Sequence, residues 1–113
     1  MNLPGADRAF VDPRKVRDYL LNPAHRVGHS KARFFGALGF TRAKWPALYQ
    51  VLIDVAIQGE ATPGELTPYG QKYEVHAMMT GPEGRGAFVV TVWIVLADED
   101  FPRLVTAFPG GPR

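Results

Sequence analysis

The 113-residue sequence contains no cysteine, which excludes a disulfide scaffold, a thiolate zinc site, an iron–sulfur cluster and a cysteine nucleophile. It also lacks a long hydrophobic run, since the longest, Ala87 to Ala97, is about half of what a bilayer span requires. The amino-terminal residues Met1–Gly5 lack the basic-then-apolar pattern of a signal peptide. We therefore expect a cytoplasmic protein with no membrane segment.

The composition is that of a folded protein, because 46% of the residues are apolar and the net charge is only +2. A chain of this length buries roughly two-thirds of its unfolded surface, which suffices for one core. We expect a single domain over residues 1–113, with an ordered core over about residues 3–109 and a flexible tail over residues 110–113.

The charges are unevenly distributed along the chain. Up to Trp45 there are nine Lys and Arg residues against three acidic residues, and from Pro46 onward four against eight. A basic amino-terminal half could bind phosphate or an acidic protein. Alternatively, the basic half pairs with the acidic half within the molecule, and the composition leaves both interpretations open.

Three helices are predicted before the chain changes its periodicity at Gly59. Asp12 and Pro13 are typical of the N-cap and first position of a short helix, and Ser30 of the N-cap of a second one. Gly39 would end the second helix in a left-handed conformation, with the next residue packed over the last turn. Apolar residues at helical spacing predict a third helix that starts near residue 45 and ends near residue 58.

After the helices the period is typical of strands, in the segments Glu60–Leu66, Gln71–Met79, Gly86–Ala97 and Arg103–Phe108. Pro63 and Gly64 confine the first to an edge, and the continuous apolar run of the third indicates a central strand. This order predicts an α+β fold, with two or three N-terminal helices packed on one face of a three- to four-stranded antiparallel β-meander.

The sheet face away from the helices is expected to carry an apolar surface. Its predicted members are His76, Met78, Val89, Thr91, Trp93, Val105 and Ala107. A shift of one residue in the phase of a strand would exchange the two faces. Exposed together, these residues would form a patch large enough to imply a homodimer or another protein partner.

The segment before and within the second helix has the most reactive side chains, namely His25, His29, Lys31 and Arg33. Histidine transfers protons near neutral pH and lysine binds phosphate, which is the minimum for RNA cleavage through the 2′-hydroxyl; His29 and Arg33 are candidate binding residues. No metal or other cofactor is expected, because the two histidines lie in a predicted loop without a nearby carboxylate. Alternatively, His25 and Lys31 hold the loop by hydrogen bonds to the backbone.

Further candidates lie on the predicted sheet. Tyr69 and Lys72 follow a turn, where an aromatic ring beside a cation can stack a base next to a bound phosphate. Thr91, Trp93, Arg103 and Thr106 could build a polar pocket on two neighbouring strands. The alternative is that Thr91 and Thr106 are ordinary strand residues and Trp93 a core or dimer anchor.

Seven short motifs carry a resemblance: Leu3–Asp7, Tyr19–Pro23, Lys31–Phe35, Leu38–Phe40, Tyr69–Tyr73, Thr91–Ile94 and Arg103–Ala107. Through them the chain resembles a small bacterial family of domains of unknown function. The stretch His25 to Gly39 also resembles the C-terminal domains of polymorphic bacterial toxins, in which helices precede a four-stranded sheet as in the RelE and barnase-like ribonucleases. That resemblance implies a cleft lined by His25, Lys31, Lys72 and Thr91, as acid or base, phosphate ligands and hydroxyl donor.

Three hypotheses about function follow. The Glu–His or Arg–His pair of an active ribonuclease is not evident, so the leading one is a self-associated binding or regulatory protein in a toxin–antitoxin-like setting. The second is a metal-independent ribonuclease that uses the His25–Lys31 loop, with RNA as its partner. The third is a structural interaction module whose exposed sheet face pairs with a small acidic protein.

Overall fold

A short 3₁₀ turn, Ala6–Arg8, and three longer helices precede a four-stranded sheet in the computed structural model, which describes residues 1–111. Helix α1 is an α-helical turn, Pro13–Lys15, that continues as a π-helical stretch, Val16–Leu20. Helix α2 is His29–Ala37 and helix α3 is Trp45–Gln58. The predicted α+β fold is confirmed. Within the described residues, no helix is long and apolar enough to cross a membrane.

The helix starts follow the local chemistry only in part. Asp12 is the N-cap of α1, as predicted, because its carboxylate accepts the backbone N–H two residues on at 2.9 Å. The prediction that Ser30 caps α2 is wrong, since that helix begins at His29 with Gly28 in the cap position and no side-chain cap. The N–H of Gly28 is already bound by the His25 ring, which allows the chain to become helical before Ser30.

The end of α2 is the predicted left-handed glycine. Gly39 has φ of 96°, and the N–H of Phe40 donates to the carbonyl of Phe35 at 3.0 Å. The two phenyl rings lie 6.4 Å apart. This is the Schellman arrangement, in which a hydrophobic contact accompanies the reversal of the chain.

The four strands lie in sequence order, each antiparallel to the next: β1 (Glu60–Thr67), β2 (Gly70–Thr80), β3 (Gly86–Leu96) and β4 (Pro102–Pro109). Strand β1 is an edge strand, as predicted, and its register is irregular between Pro63 and Leu66. The register of β3 with β4 shifts between Val92 and Trp93.

The predicted face is wrong for Val89, Thr91, Trp93 and Ala107, which are 0–1% exposed and belong to the buried side of the sheet. The physical reason is the register, because Thr91 pairs with Val75 and cross-strand partners share a face. Val75 is fully buried, so Thr91 and its alternate neighbours are buried as well. The continuous apolar run of β3 contains no alternation from which its phase could be predicted.

The other face, which we call the open face, carries the other alternate residues, among them Lys72, Glu74, His76, Met78, Phe88, Val92 and Ile94. Val90 lies on the same face but is only 4% exposed, because Gly110 packs against it. The predicted flexible tail is hydrogen-bonded to the sheet over its described part. The N–H of Gly110 donates to the carbonyl of Phe88 at 3.1 Å, and the carbonyl of Gly111 lies 3.1 Å from Nδ1 of His76. Residues 112 and 113 of that tail lie outside the described residues.

Candidate functional site

Side chains from four parts of the chain meet around the phenol ring of Tyr19. The hydroxyl lies 3.2 Å from Oγ1 of Thr106 on β4. The ammonium groups of Lys31 and Lys15 lie 5.5 and 5.9 Å from the ring centroid. The His25 ring lies 5.1 Å from the same centroid, with the two ring planes at 75°. We call these five residues the Tyr19 cluster.

The π-helical part of α1 positions Tyr19. The N–H of Leu21 donates to the carbonyl of Val16 at 3.0 Å, an i to i+5 bond, and such turns are frequent at functional sites. Val16 and Leu20 are fully buried and hold this turn against the core. Tyr19 is therefore presented half-buried at the border between the core and solvent, rather than fully in the core.

The surroundings of Tyr19 change its acidity. Burial alone would raise the pKa of the phenol. The hydrogen bond with Thr106 and the nearby ammonium groups of Lys31 and Lys15 outweigh burial and lower the pKa below its ordinary value of 10.0. Tyr19 is thus a stronger acid than a tyrosine in water. The ammonium groups of Lys15 and Lys31 lie close enough to stabilise its phenolate.

The His25 side chain holds the loop in front of α2. Its Nδ1 accepts the backbone N–H groups of Val27 at 3.0 Å and Gly28 at 2.9 Å. This hydrogen-bond pattern assigns the proton of the neutral ring to Nε2. The ring therefore positions the loop and packs against Tyr19.

A cavity of about 300 Å³ adjoins the cluster, and it is lined by Phe10, Asp12, Lys15, Ile94, Arg103, Leu104 and Val105. Arg103, a predicted binding residue, is anchored there by two hydrogen bonds of 2.7 Å to the Glu99 carboxylate. Its guanidinium also lies 5.0 Å from the ring centroids of Phe10 and Phe101. Two of the five N–H donors of Arg103 are thus engaged by Glu99.

A second cavity, of about 470 Å³, is lined by residues of α2 and of the segments before and after it, namely Leu21, Pro23, His29, Ala32, Arg33, Gly36, Phe40, Thr41 and Arg42. His29, Arg33 and Arg42 all line it, so two predicted binding residues are brought together here. Arg42 is paired with Asp18 at 3.0 Å, and Nδ1 of His29 lies 3.2 Å from the carbonyl of His25. Within residues 1–111, the Arg33 side chain has no hydrogen-bond or ion-pair partner.

The remaining predicted residues are not in the Tyr19 cluster. Thr91 and Trp93 are buried in the core and therefore line no cleft and contact no second copy. Lys72 lies on the open sheet face, where it pairs in register with Ile94 of the first cavity. Tyr69 is 76% exposed at the turn between β1 and β2.

The basic half is not neutralised by the acidic half. Ion pairs between the two halves are limited, within the part of the chain that the structure describes, to Arg8 with Asp100 and the amino terminus with Glu60. Lys15, Lys31 and Arg33 form no ion pair with any carboxylate among residues 1–111. The surface around α1 and α2 therefore keeps an excess of positive charge. Residues 1–111 contain no group of three or more His, Asp or Glu side chains that could hold a metal ion.

Sequence reasoning found His25 and Lys31 but missed the residue on which they converge. Tyr19 follows Lys15 by four positions, a spacing that brings a cation near an aromatic ring on a helix. That spacing was the one local signal. The contact with Thr106 spans 87 positions and depends on the docking of α1 beside β4.

Fold and site together define a small α+β domain with a basic surface around a perturbed tyrosine. The model of the family described as Domain of unknown function (DUF6883) matches residues 2–111, and the chain belongs to this family. The predicted family resemblance is thereby confirmed. No match to a curated protein is found.

A solved structure shares the fold. It is described as a contact-dependent growth inhibition toxin – immunity protein complex from Klebsiella pneumoniae 342, and one of its chains superposes with a TM-score of 0.71. The match covers 96% of this chain and 98% of that chain at 14% identity. At that identity the likeness shows the fold alone, and it agrees with the predicted toxin-like resemblance.

Proposed function

We propose that this chain is an RNA-cleaving domain of the toxin type and that the Tyr19 cluster is its active site. The observation that carries the proposal is a phenol of lowered pKa with the ammonium groups of Lys15 and Lys31 5.9 and 5.5 Å from its ring centroid. Cleavage through the 2′-hydroxyl needs groups that move protons and cations that stabilise the charge developing on the phosphate. The cluster contains both. Because RNA is the substrate, we propose the cytoplasm as the place of action.

Tyr19 acts as the general acid in this proposal. The 2′-oxygen attacks phosphorus as its proton passes to water, the bond from phosphorus to the 5′-oxygen breaks, and Tyr19 protonates that oxygen. The products are a 2′,3′-cyclic phosphate and a free 5′-hydroxyl, and Tyr19 regains its proton from water. Lys15 and Lys31 stabilise both the phosphorane and the phenolate, whereas His25 positions the loop through its Nδ1.

Cleavage of a fluorescently labelled single-stranded RNA by the purified chain tests the proposal. Tyr19→Phe keeps the ring but removes the proton, so the rate should fall by about 10² to 10⁴, the usual contribution of general acid–base catalysis. Tyr49→Phe is the matched control, because Tyr49 packs on Trp45 of α3 and lies outside the cluster. The rate should be unchanged in EDTA, and an RNA with deoxyribose at the cleaved position should stay intact.

Two results would overturn this activity. One is RNA cleavage at the same rate by wild type and Tyr19→Phe, which would indicate a contaminating nuclease. The other is absence of cleavage by a folded wild-type chain over a set of RNAs that includes tRNA, ribosomal RNA and unstructured oligomers. Product analysis adds a further check, since a 3′-hydroxyl end would contradict attack by the 2′-oxygen.

A second candidate, the binding or regulatory role, is favoured by the unpaired basic surface beside α2. Arg33 is exposed and without a partner among residues 1–111, and a small acidic protein would supply the missing carboxylates. A solved structure with this fold is described as a toxin – immunity protein complex, which supports a protein partner for this chain as well. The partner would shield the basic surface and regulate the chain.

Co-expression with the product of the adjacent gene tests this second role. A complex held by the basic surface should dissociate as NaCl is raised and should be lost in Arg33→Glu. A complex that is insensitive to both would instead use the open sheet face. Met78→Asp, at a residue 54% exposed on that face, should then disrupt it, and the basic-surface proposal would be wrong.

A further inference from the structure

The cavity that adjoins the Tyr19 cluster has no part in the cleavage step described above. Lys15 belongs to both, because it lines the cavity, and its ammonium group donates to the carbonyl of Val105 at 2.9 Å and lies 5.9 Å from the Tyr19 ring centroid. Thr106, which contacts Tyr19, directly follows Val105 on β4. A ligand group inside the cavity would therefore be a direct neighbour of a phosphate held at the cluster.

Phe10 lines the cavity and is unusually exposed for a large apolar residue, with 42% of its surface accessible to solvent. Its backbone is fixed on both sides, by donation to Pro102 at 2.8 Å and by acceptance from Leu104 at 3.0 Å. The Arg103 guanidinium lies 5.0 Å from its ring centroid and is itself held by Glu99. The Phe10 ring is thus a fixed aromatic surface that remains exposed to solvent.

We propose that this cavity binds a nucleobase of single-stranded RNA by stacking on Phe10, with the phosphate of the same nucleotide on Lys15. The proposal rests on the proposed function in taking RNA as the ligand. Aromatic side chains beside cations are the common means of binding single strands, and stacking tolerates any base. A volume of about 300 Å³ with apolar walls from Ile94 and Leu104 suits one flat base.

The strand register indicates where the RNA continues. Arg103 pairs with Ile94, and Ile94 pairs with Lys72 on the next strand, so the three residues form one row across the sheet. Lys72 therefore stands on the open face beyond the cavity and supplies the next cation for the phosphate backbone. This position gives Lys72 a role in binding rather than in the chemical step.

Fluorescence anisotropy with a 2′-O-methyl RNA octamer, which the chain cannot cleave, tests the base site. Phe10→Ala should weaken binding by about 5- to 150-fold, the loss expected for one stacked base. Phe10→Leu keeps the apolar contact but lacks a π-face, so it should lose most of the affinity that stacking contributes. Phe10→Trp should bind the octamer as tightly as wild type. Phe88→Ala is the matched control, because Phe88 is 39% exposed at the far end of the open face.

An abasic octamer with the same backbone separates stacking from charge. Wild type and the Phe10 variants should bind it equally, whereas Lys72→Ala should weaken binding of both octamers. Thermal unfolding of each variant shows that it is folded at the assay temperature. Equal affinity of wild type and Phe10→Leu for the normal octamer would overturn the base site. So would a loss of affinity in the Phe10 variants that is the same for the normal and the abasic octamer.

The two proposals can fail separately. If Tyr19→Phe abolishes cleavage and the Phe10 variants bind like wild type, the active site stands and the base site is wrong. If the Phe10 variants lose base-dependent binding and Tyr19→Phe has no effect on cleavage, the base site stands and the proposed activity is wrong.

Discussion

The indole N–H of Trp93 donates a hydrogen bond of 2.8 Å to the hydroxyl of Thr91, in the core of the sheet. The same hydroxyl donates to the carbonyl of Val75 at 3.0 Å. All three residues are 0% exposed, so water cannot replace either partner. Thr91 therefore satisfies two buried polar groups at once and allows a tryptophan to be the largest side chain of the core.

Replacement of Thr91 by valine keeps the shape but leaves the indole N–H and the Val75 carbonyl without that partner. An unpaired buried polar group costs about 1–3 kcal/mol. The free energy of unfolding, measured in urea, should therefore fall by at least about 1 kcal/mol. Thr91→Ser keeps the hydroxyl and should lose less. RNA cleavage by folded Thr91→Val should proceed at the wild-type rate, and a loss of more than 100-fold would restore the catalytic role that the sequence suggested.

Local chemistry explains which parts of the fold were predictable. The cap at Asp12 and the end of α2 at Gly39 depend on residues within a few positions of each other, and both are as predicted. The phase of β3 was not predictable, because its residues are apolar on both faces and only pairing with β2 decides between them. The Tyr19 cluster was half-predicted for the same reason, since the contact with Thr106 exists only once α1 docks beside β4.

Two glycines of the same helix region should respond to alanine in opposite directions. Gly39 has φ of 96°, so a Cβ there should cost about 1–2 kcal/mol of unfolding free energy. Gly36 lies within α2 and faces open space at the position that a Cβ would take, so Gly36→Ala should add about 0.5–1 kcal/mol. Urea unfolding of both variants measures the contrast. Equal effects of the two substitutions would contradict the assigned end of α2.

The acid sensitivity of the fold should depend on Asp18. Hydrogen bonds from Arg17 and then Arg42 lower the pKa of its carboxyl from 3.8 to about 2. A group whose pKa is lower in the folded state contributes stability at higher pH that is lost on acidification, here as the pH falls from about 4 to about 2. The stability difference between wild type and Asp18→Asn should narrow over that range in urea unfolding, and 1 M NaCl should reduce it.

Asp54→Asn is the control for this pH dependence, because Asp54 accepts a hydrogen bond from Gln50 and pairs with no cation among residues 1–111. Its stability difference from wild type should show no comparable narrowing between pH 4 and pH 2. A difference for Asp18→Asn that stays constant over the same range would mean that the Arg17 and Arg42 contacts do not persist in solution.

The unpaired charge of Arg33 should be measurable as a salt effect on RNA binding. Each phosphate contact on a single strand contributes about 0.7 to the slope of log affinity against log salt, so Arg33→Ala should reduce that slope by about this amount with the 2′-O-methyl octamer. Arg8→Ala is the matched control, since Asp100 already pairs with Arg8 at 2.7 Å. Arg8 therefore displaces few counterions from the RNA, and its substitution should change the slope little. Equal changes of slope in Arg33→Ala and Arg8→Ala would mean that RNA responds only to net charge. A smaller slope for Arg33→Ala alone would place a phosphate of the bound strand in the cavity that Arg33 shares with His29 and Arg42.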